Sequence, residues 1–242
     1  MAKRSAGKRS TAKRPARAAT SDPGVPPRQR AIDALMQLLA EHPWIEIETR
    51  DIADRAGLTL GELRDEFSSP LAILAAQMKA IDKQVLDAGT PEDAEMTPRE
   101  RLFEVLMRRI EALAPHKEAI RSLARSARRN PPLALALNGL AVRSQHWMLT
   151  AAGISTHGPK GMIRAQGLAV TFAQVVGVWL DDDEAGLDRT MAALDRGLTS
   201  GQRWSGLLDD LMCLPEALIR RGRRYRRHRR DAETYDDDIA AA

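Results

Sequence analysis

The segment TRDIADRAGLTLGELRDEFSSPLAIL, Thr49 to Leu74, holds two short helical patterns joined at one glycine. The first covers Arg50 to Ala56. Gly57 then supplies a turn free of Cβ crowding, and Thr59 stands where its side-chain oxygen can accept from the orphan N–H groups of a second helix starting at Leu60. Helix, tight turn, helix is a geometry that reads DNA in the major groove; the same spacing also builds inert helical hairpins.

Outward from this segment, apolar residues recur at helical spacing. Ile32, Leu35, Met36 and Leu39 form a stripe before it; Leu71, Leu74, Met78, Ile81 and Val85 form one after it. Leu102, Val105, Leu106, Ile110 and Leu113 continue the pattern, then Ile120, Leu123 and Ala127, then an Ala/Leu run from Leu133 to Leu149. Pro98, Pro115, Pro131 and Pro132 sit where helices should begin. A Gly-rich loop from Gly153 to Gly161 precedes a helix carrying Met162, Ile163, Leu168, Phe172, Val176 and Trp179. After the acidic break Asp181 to Glu184 come Leu187, Met191, Leu194 and Leu198. Strand-like alternation appears only from Trp44 to Ile47, too short to found a sheet. The chain reads as all α, with nine or ten helices.

Composition narrows the function. The 242 residues are 43% hydrophobic and 29% charged, which suits a globular protein and excludes collagen, coiled-coil rod and fully disordered classes. The most apolar stretch, Leu168 to Leu180, is shorter than the ~20 residues that cross a bilayer, so it reads as core. A single cysteine, Cys213, forms no disulfide within the chain. Nine of the 37 Lys and Arg fall in residues 1–30 beside one acid, Asp22, and eight Arg fall between Arg220 and Arg230. Residues 31–215 keep 20 bases against 26 acids, so the basic charge belongs to the ends. Residues 1–27 lack large apolar side chains and read as a disordered cationic arm; no secretory h-region is present, and a cytoplasmic location is expected.

The segment from Arg28 to Leu86 resembles the amino-terminal domain of the TetR family of bacterial transcriptional regulators. The likeness is carried by the amphipathic AIDALMQLLAEHPW, by DIADRAGL, by Thr59 and Gly61, and by Phe67 with Leu71, Ile73 and Leu74. It implies an all-α, TetR-like fold: an N-terminal three-helix helix-turn-helix domain, residues 28–86, followed by a C-terminal helical ligand-binding and dimerisation bundle, residues 97–214. The arm 1–27 and a basic tail 215–242 flank them. It also implies double-stranded DNA as partner, a homodimer, and release by an apolar small-molecule effector. Thr49, Arg50, Thr59 and Arg64 are the expected backbone contacts; Leu60, Glu62 and Leu63 would approach base edges, Glu62 accepting from a cytosine amino group. The departures fall on the DNA-facing side: Arg64 stands where the family usually has Tyr, Glu66 where it often has His, and Pro70 where it has Lys. Residues 31–86 hold ten acids against five bases, although affinity for DNA comes largely from neutralising phosphate. The cationic arm would have to compensate.

A second resemblance covers MIRAQGLAVTFAQVVGVWLDDDEAGLDRTMAALDRGL. With Trp179, the acidic break and Leu194, Asp195 and Arg196, it is similar to a lipid-binding accessory family of ubiquinone biosynthesis that shares the TetR-type fold. That alternative implies a vestigial helix-turn-helix and a membrane-docking segment after Trp204, where Leu207, Leu208, Leu211, Met212, Leu218 and Ile219 give an apolar face.

The five histidines are scattered, and no GxSxG, P-loop or GxGxxG motif occurs, so the expectation is no enzyme, no cofactor and no metal. Phe103, Trp147, Met148, Met162, Phe172 and Trp179 are the candidates to line an apolar pocket, with Gln166, Gln174 or Arg143 as polar orienters; ordinary core packing explains the same residues.

Overall fold

The computed structural model describes residues 24–90, 93, 95–184 and 186–200. The arm 1–27 apart from its last four residues, the tail 215–242, and the apolar face after Trp204 lie outside them. No strand occurs among the described residues. The helices are α1 (Pro27–Glu41), α2 (Thr49–Ala56), α3 (Leu60–Glu66), α4 (Pro70–Asp87), α5 (Pro98–Leu113), α6 (Lys117–Arg128), α7 (Pro131–Ala151) and α8 (Gly158–Leu180), then α9 over 188–200. The short alternation at Trp44 is a single 3-10 turn, Trp44–Glu46.

Helix starts follow local chemistry. Pro27, Pro98 and Pro131 each open a helix, where the missing N–H costs nothing. Thr97 and Glu100 close a reciprocal capping box at α5: the Thr97 N–H donates to the Glu100 carboxylate at 2.9 Å, and the Glu100 N–H donates to the Thr97 hydroxyl at 3.3 Å. Gly57 ends α2 with φ 63°, a left-handed conformation that a side chain would strain.

These helices make two compact units. One joins Met1–Gln77 with His116–Pro131; the other joins Met78–Pro115 with Pro132–Ala242. Chain order alone suggested 28–86 and 97–214. The division runs otherwise because α6 packs on α1 and on the Trp44–Glu46 turn.

In the first unit, α1 packs on α2, α3 and α6, and α2 on α3. Ile32, Leu35, Leu39, Ile52, Ala53, Ala56, Leu58, Leu63 and Phe67 are buried there. In the second unit, Leu102, Leu106 and Ile110 of α5, Met148 of α7, Phe172 and Trp179 of α8 and Leu194 of α9 are buried. A polar group is buried with them: Arg109 of α5 pairs with Asp82 of α4, the Ser144 hydroxyl of α7 donates to the same carboxylate at 2.7 Å, and the Arg109 guanidinium lies 5.5 Å from the Phe172 ring centroid. Asp82 would otherwise be a lone buried charge, which is costly.

One loop gains a structural role here, and one expectation changes. The acidic break is not all solvated, because Asp182 is buried: its carboxylate accepts from the Thr190 N–H at 2.9 Å and the Thr190 hydroxyl at 2.7 Å, tying the loop to the start of α9. These bonds, the hydroxyl's first, hold its pKa below the ordinary 3.8. The shortness argued for the apolar stretch fails, since α8 has 23 residues and is apolar enough by length and composition to cross a bilayer. What marks it as a packed helix is burial of Ala165, Leu168, Ala169, Phe172, Val175 and Trp179 along one side.

Candidate nucleic-acid interface

Helices α2 and α3 are held by their own polar residues. At α2, Glu48 and Asp51 form a capping box in which the Asp51 carboxylate accepts the Glu48 N–H at 2.9 Å. At α3, the Thr59 hydroxyl accepts the Glu62 N–H at 3.2 Å while the Glu62 carboxylate accepts the Thr59 N–H at 2.7 Å and its hydroxyl proton at 2.8 Å. Those bonds, the backbone one first, hold the Glu62 carboxyl below its ordinary 4.5. The threonine cap matches the expectation from sequence; the reciprocal glutamate was overlooked, although the Thr-x-x-Glu spacing is its signature.

The root of the unit is clamped by arginine. Arg30 of α1 donates to the Ala56 and Gly57 carbonyls, each at 3.3 Å, and so satisfies groups left open where α2 ends. Arg28 lies 4.6 Å from the Phe67 ring centroid and 3.6 Å from the Glu66 carboxylate. Arg55 pairs with Glu41 at 2.7 Å, which raises the guanidinium pKa above its ordinary value. No local pattern in the sequence points to the Arg30 contacts, which join residues 26 and 27 positions apart.

The predicted DNA-facing residues divide. Thr49, Arg50, Thr59 and Arg64 are exposed, and Leu60 is 46% exposed at the first turn of α3. Arg64 donates to the Ser68 carbonyl at 3.1 Å in an exposed bond. Leu63 is a correction: it is 3% exposed and packs inward, because its position on α3 is the one that meets the core. It cannot reach a base edge. Glu62 is exposed but engaged in the cap, so accepting from a cytosine would compete with the bonds that start α3.

The six proposed pocket residues are dispersed. Met148, Phe172 and Trp179 are buried in the core of the second unit; Trp147 and Met162 are 56% and 72% exposed. Phe103 lines an open cavity of about 660 Å³ whose other walls are Glu95, Met96, Arg99, Glu100, Glu104 and Asp195, a polar lining unlike the apolar one expected. Among the orienters, Gln166 exchanges hydrogen bonds with Asn138 at 3.0 Å in both directions. No group of three or more His, Cys, Asp or Glu that could hold a metal occurs among the described residues.

An all-α architecture with an exposed, capped recognition helix defines the class as a helix-turn-helix protein. No family model matches the chain. Over 97 residues it is 29% identical to the HTH-type transcriptional regulator PksA of Bacillus subtilis, a match spanning 40% of this chain and 46% of that one. The chain thus spans about half the length of that curated relative. A TetR transcriptional regulator from Nitrosomonas europaea superposes with a TM-score of 0.57 at 21% identity, covering 74% of this chain and 99% of the other. Another from Rhodococcus sp. RHA1 gives 0.51 at 18%, covering 72% and 95%. The fold is that of the TetR-family transcriptional regulators, and the resemblance seen from Arg28 to Leu86 is borne out.

Proposed function

We propose that the protein is a DNA-binding transcriptional regulator of TetR type. The observation that carries this is the α2–Gly57–α3 element itself: capped at both helix starts, clamped from behind by Arg28 and Arg30, and leaving Thr49, Arg50, Thr59, Leu60 and Arg64 outward. The likeness to PksA supports the same reading. Leu60 approaches base edges in the major groove, while Thr49, Arg50, Thr59 and Arg64 hold the phosphates on either side.

The protein acts as a homodimer, which places two recognition helices one helical turn apart on the duplex. Support comes from the outer side of α8, where Met162, Ile163, Gln166, Gly167, Val170, Ala173 and Gln174 are exposed without a single charge, and from Leu135 and Trp147 exposed on α7. A helix apolar all round belongs inside a larger packed assembly. An apolar small ligand would release the operator to the extent that it prefers one spacing of the two reading heads.

The test is an electrophoretic shift with a duplex from the region upstream of the protein's own gene, set against co-sedimentation with anionic liposomes. A shift weakened about tenfold or more by Arg64→Ala, the loss of about 1.4 kcal/mol or more expected for a charged hydrogen bond, upholds the regulator. Sedimentation with vesicles and no shift at low salt overturns it in favour of the lipid-binding alternative.

A further inference from the structure

The helix-turn-helix part of the first unit, residues 24–77, carries five bases against nine acids. It is poorly charged for a polyanion. The same compact unit includes residues 116–131, which carry five bases against one acid, so these two described stretches together are balanced at ten against ten. A helix remote in sequence therefore supplies the positive charge that the reading element lacks.

The placement of α6 is specific. The Ser122 hydroxyl donates to the His42 carbonyl at 3.0 Å, and the Ser126 hydroxyl accepts the Trp44 N–H at 3.1 Å. The last turn of α6 thus lies against the short segment that leads, five residues later, into Thr49 and Arg50 at the start of α2. Arg125, Arg128 and Arg129 share one face there at i, i+3 and i+4, and all three are exposed.

Of the other described arginines in this unit, Arg50 makes no side-chain ion pair or hydrogen bond with a described residue, while the rest are held by the protein. Arg28 sits on Phe67 and Glu66, Arg30 on two carbonyls, Arg55 on Glu41, and Arg64 on the Ser68 carbonyl. The side chains of Arg125, Arg128 and Arg129 make no ion pair or hydrogen bond among the described residues. Guanidinium groups of this kind match phosphate oxygens two at a time.

We propose that Arg125, Arg128 and Arg129 form a phosphate-binding surface that grips the duplex backbone beside the contacts of α2. The inference rests on the regulator reading above and adds to it a site outside the helix-turn-helix. Phosphate contacts carry no sequence information, so the surface contributes to every duplex equally and to salt dependence most.

The test uses the full chain and fluorescence anisotropy on the upstream duplex and on a scrambled duplex, from about 50 to 200 mM NaCl, the range over which such contacts are strongly screened. The triple change Arg125→Gln, Arg128→Gln and Arg129→Gln should make the slope of log K against log salt shallower by about 3, so the advantage of the unchanged protein shrinks about 40-fold across that range. Both duplexes should be affected alike. The corresponding lysine triple should keep the slope, and each single glutamine change should lower it by about 1, which serves if the triple change disturbs folding. Unaltered affinity and slope in the glutamine variants, with the unchanged protein binding, overturn this surface and leave the regulator reading intact. Failure of the unchanged protein to bind any duplex at the lowest salt overturns both.

Discussion

Both units hold carboxylates that act locally and carboxylates that act at a distance, as Glu100 at the start of α5 and Glu41 on Arg55 show, but among the described residues the buried ones lie in the larger unit. In the helix-turn-helix, Asp51 and Glu62 bond to backbone three residues away and start their own helices. In the larger unit, Asp82 meets Arg109 and Ser144 at separations of 27 and 62 residues, Asp93 holds Arg108 at 15, and Asp195 holds Arg99 at 96. Local acids shape helices one at a time; distant acids join helices to one another. An acid-rich reading element is therefore not simply surplus charge set against DNA, because some of its carboxylates are committed to forming it.

The contrast can be broken most sharply at Arg109. Arg109→Ala leaves Asp82 buried and unpaired, and should cost about 3–5 kcal/mol in urea unfolding; a loss below about 1 kcal/mol would mean that water replaces the guanidinium. Thr59→Ala removes one half of a local box and should cost about 1 kcal/mol, read as a lower melting temperature, with the weakening confined to the first unit in hydrogen exchange. At Lys83, whose pair with Asp87 is exposed and four residues apart, alanine should change stability by no more than about 0.5 kcal/mol.

Acid sharpens the same comparison. Asp93 is held well below the ordinary 3.8, first by the two Arg108 bonds of 2.7 Å and then by the Thr90 N–H; Glu62 is held below 4.5 by Thr59. A carboxyl depressed in the folded state contributes stability that is whole above its unfolded pKa and is lost as pH falls through the folded one. Unfolding followed from neutral pH downward should therefore show these contributions intact to about pH 5 and lost progressively below it. In Asp93→Asn the dependence at the lowest pH should flatten; an unchanged acid limb would mean that the Arg108 pair does not persist in solution.

How much of this was legible follows the same distances. Gly57, Thr59 and the 3.6-residue stripes act within a turn or two, so the all-α fold and the start of α3 could be read directly. Leu63 was misplaced because a seven-residue helix offers too few turns to separate its inner face from its outer one. The membership of α6 in the reading unit depends on contacts 80 and 82 residues apart, at Ser122–His42 and Ser126–Trp44, and no periodicity encodes them. Apolar, bulky residues were rightly assigned to the larger bundle, but spacing alone cannot tell Met148, in the core, from Met162, on the outside.

Arg28 and Arg30 have a mechanical consequence. They rivet the first turn of α1 to the two flanks of α3, the Gly57 turn before it and Phe67 after it. The direction in which the chain enters α1 at Pro27 is thus coupled to the setting of α3 through one side chain on each flank.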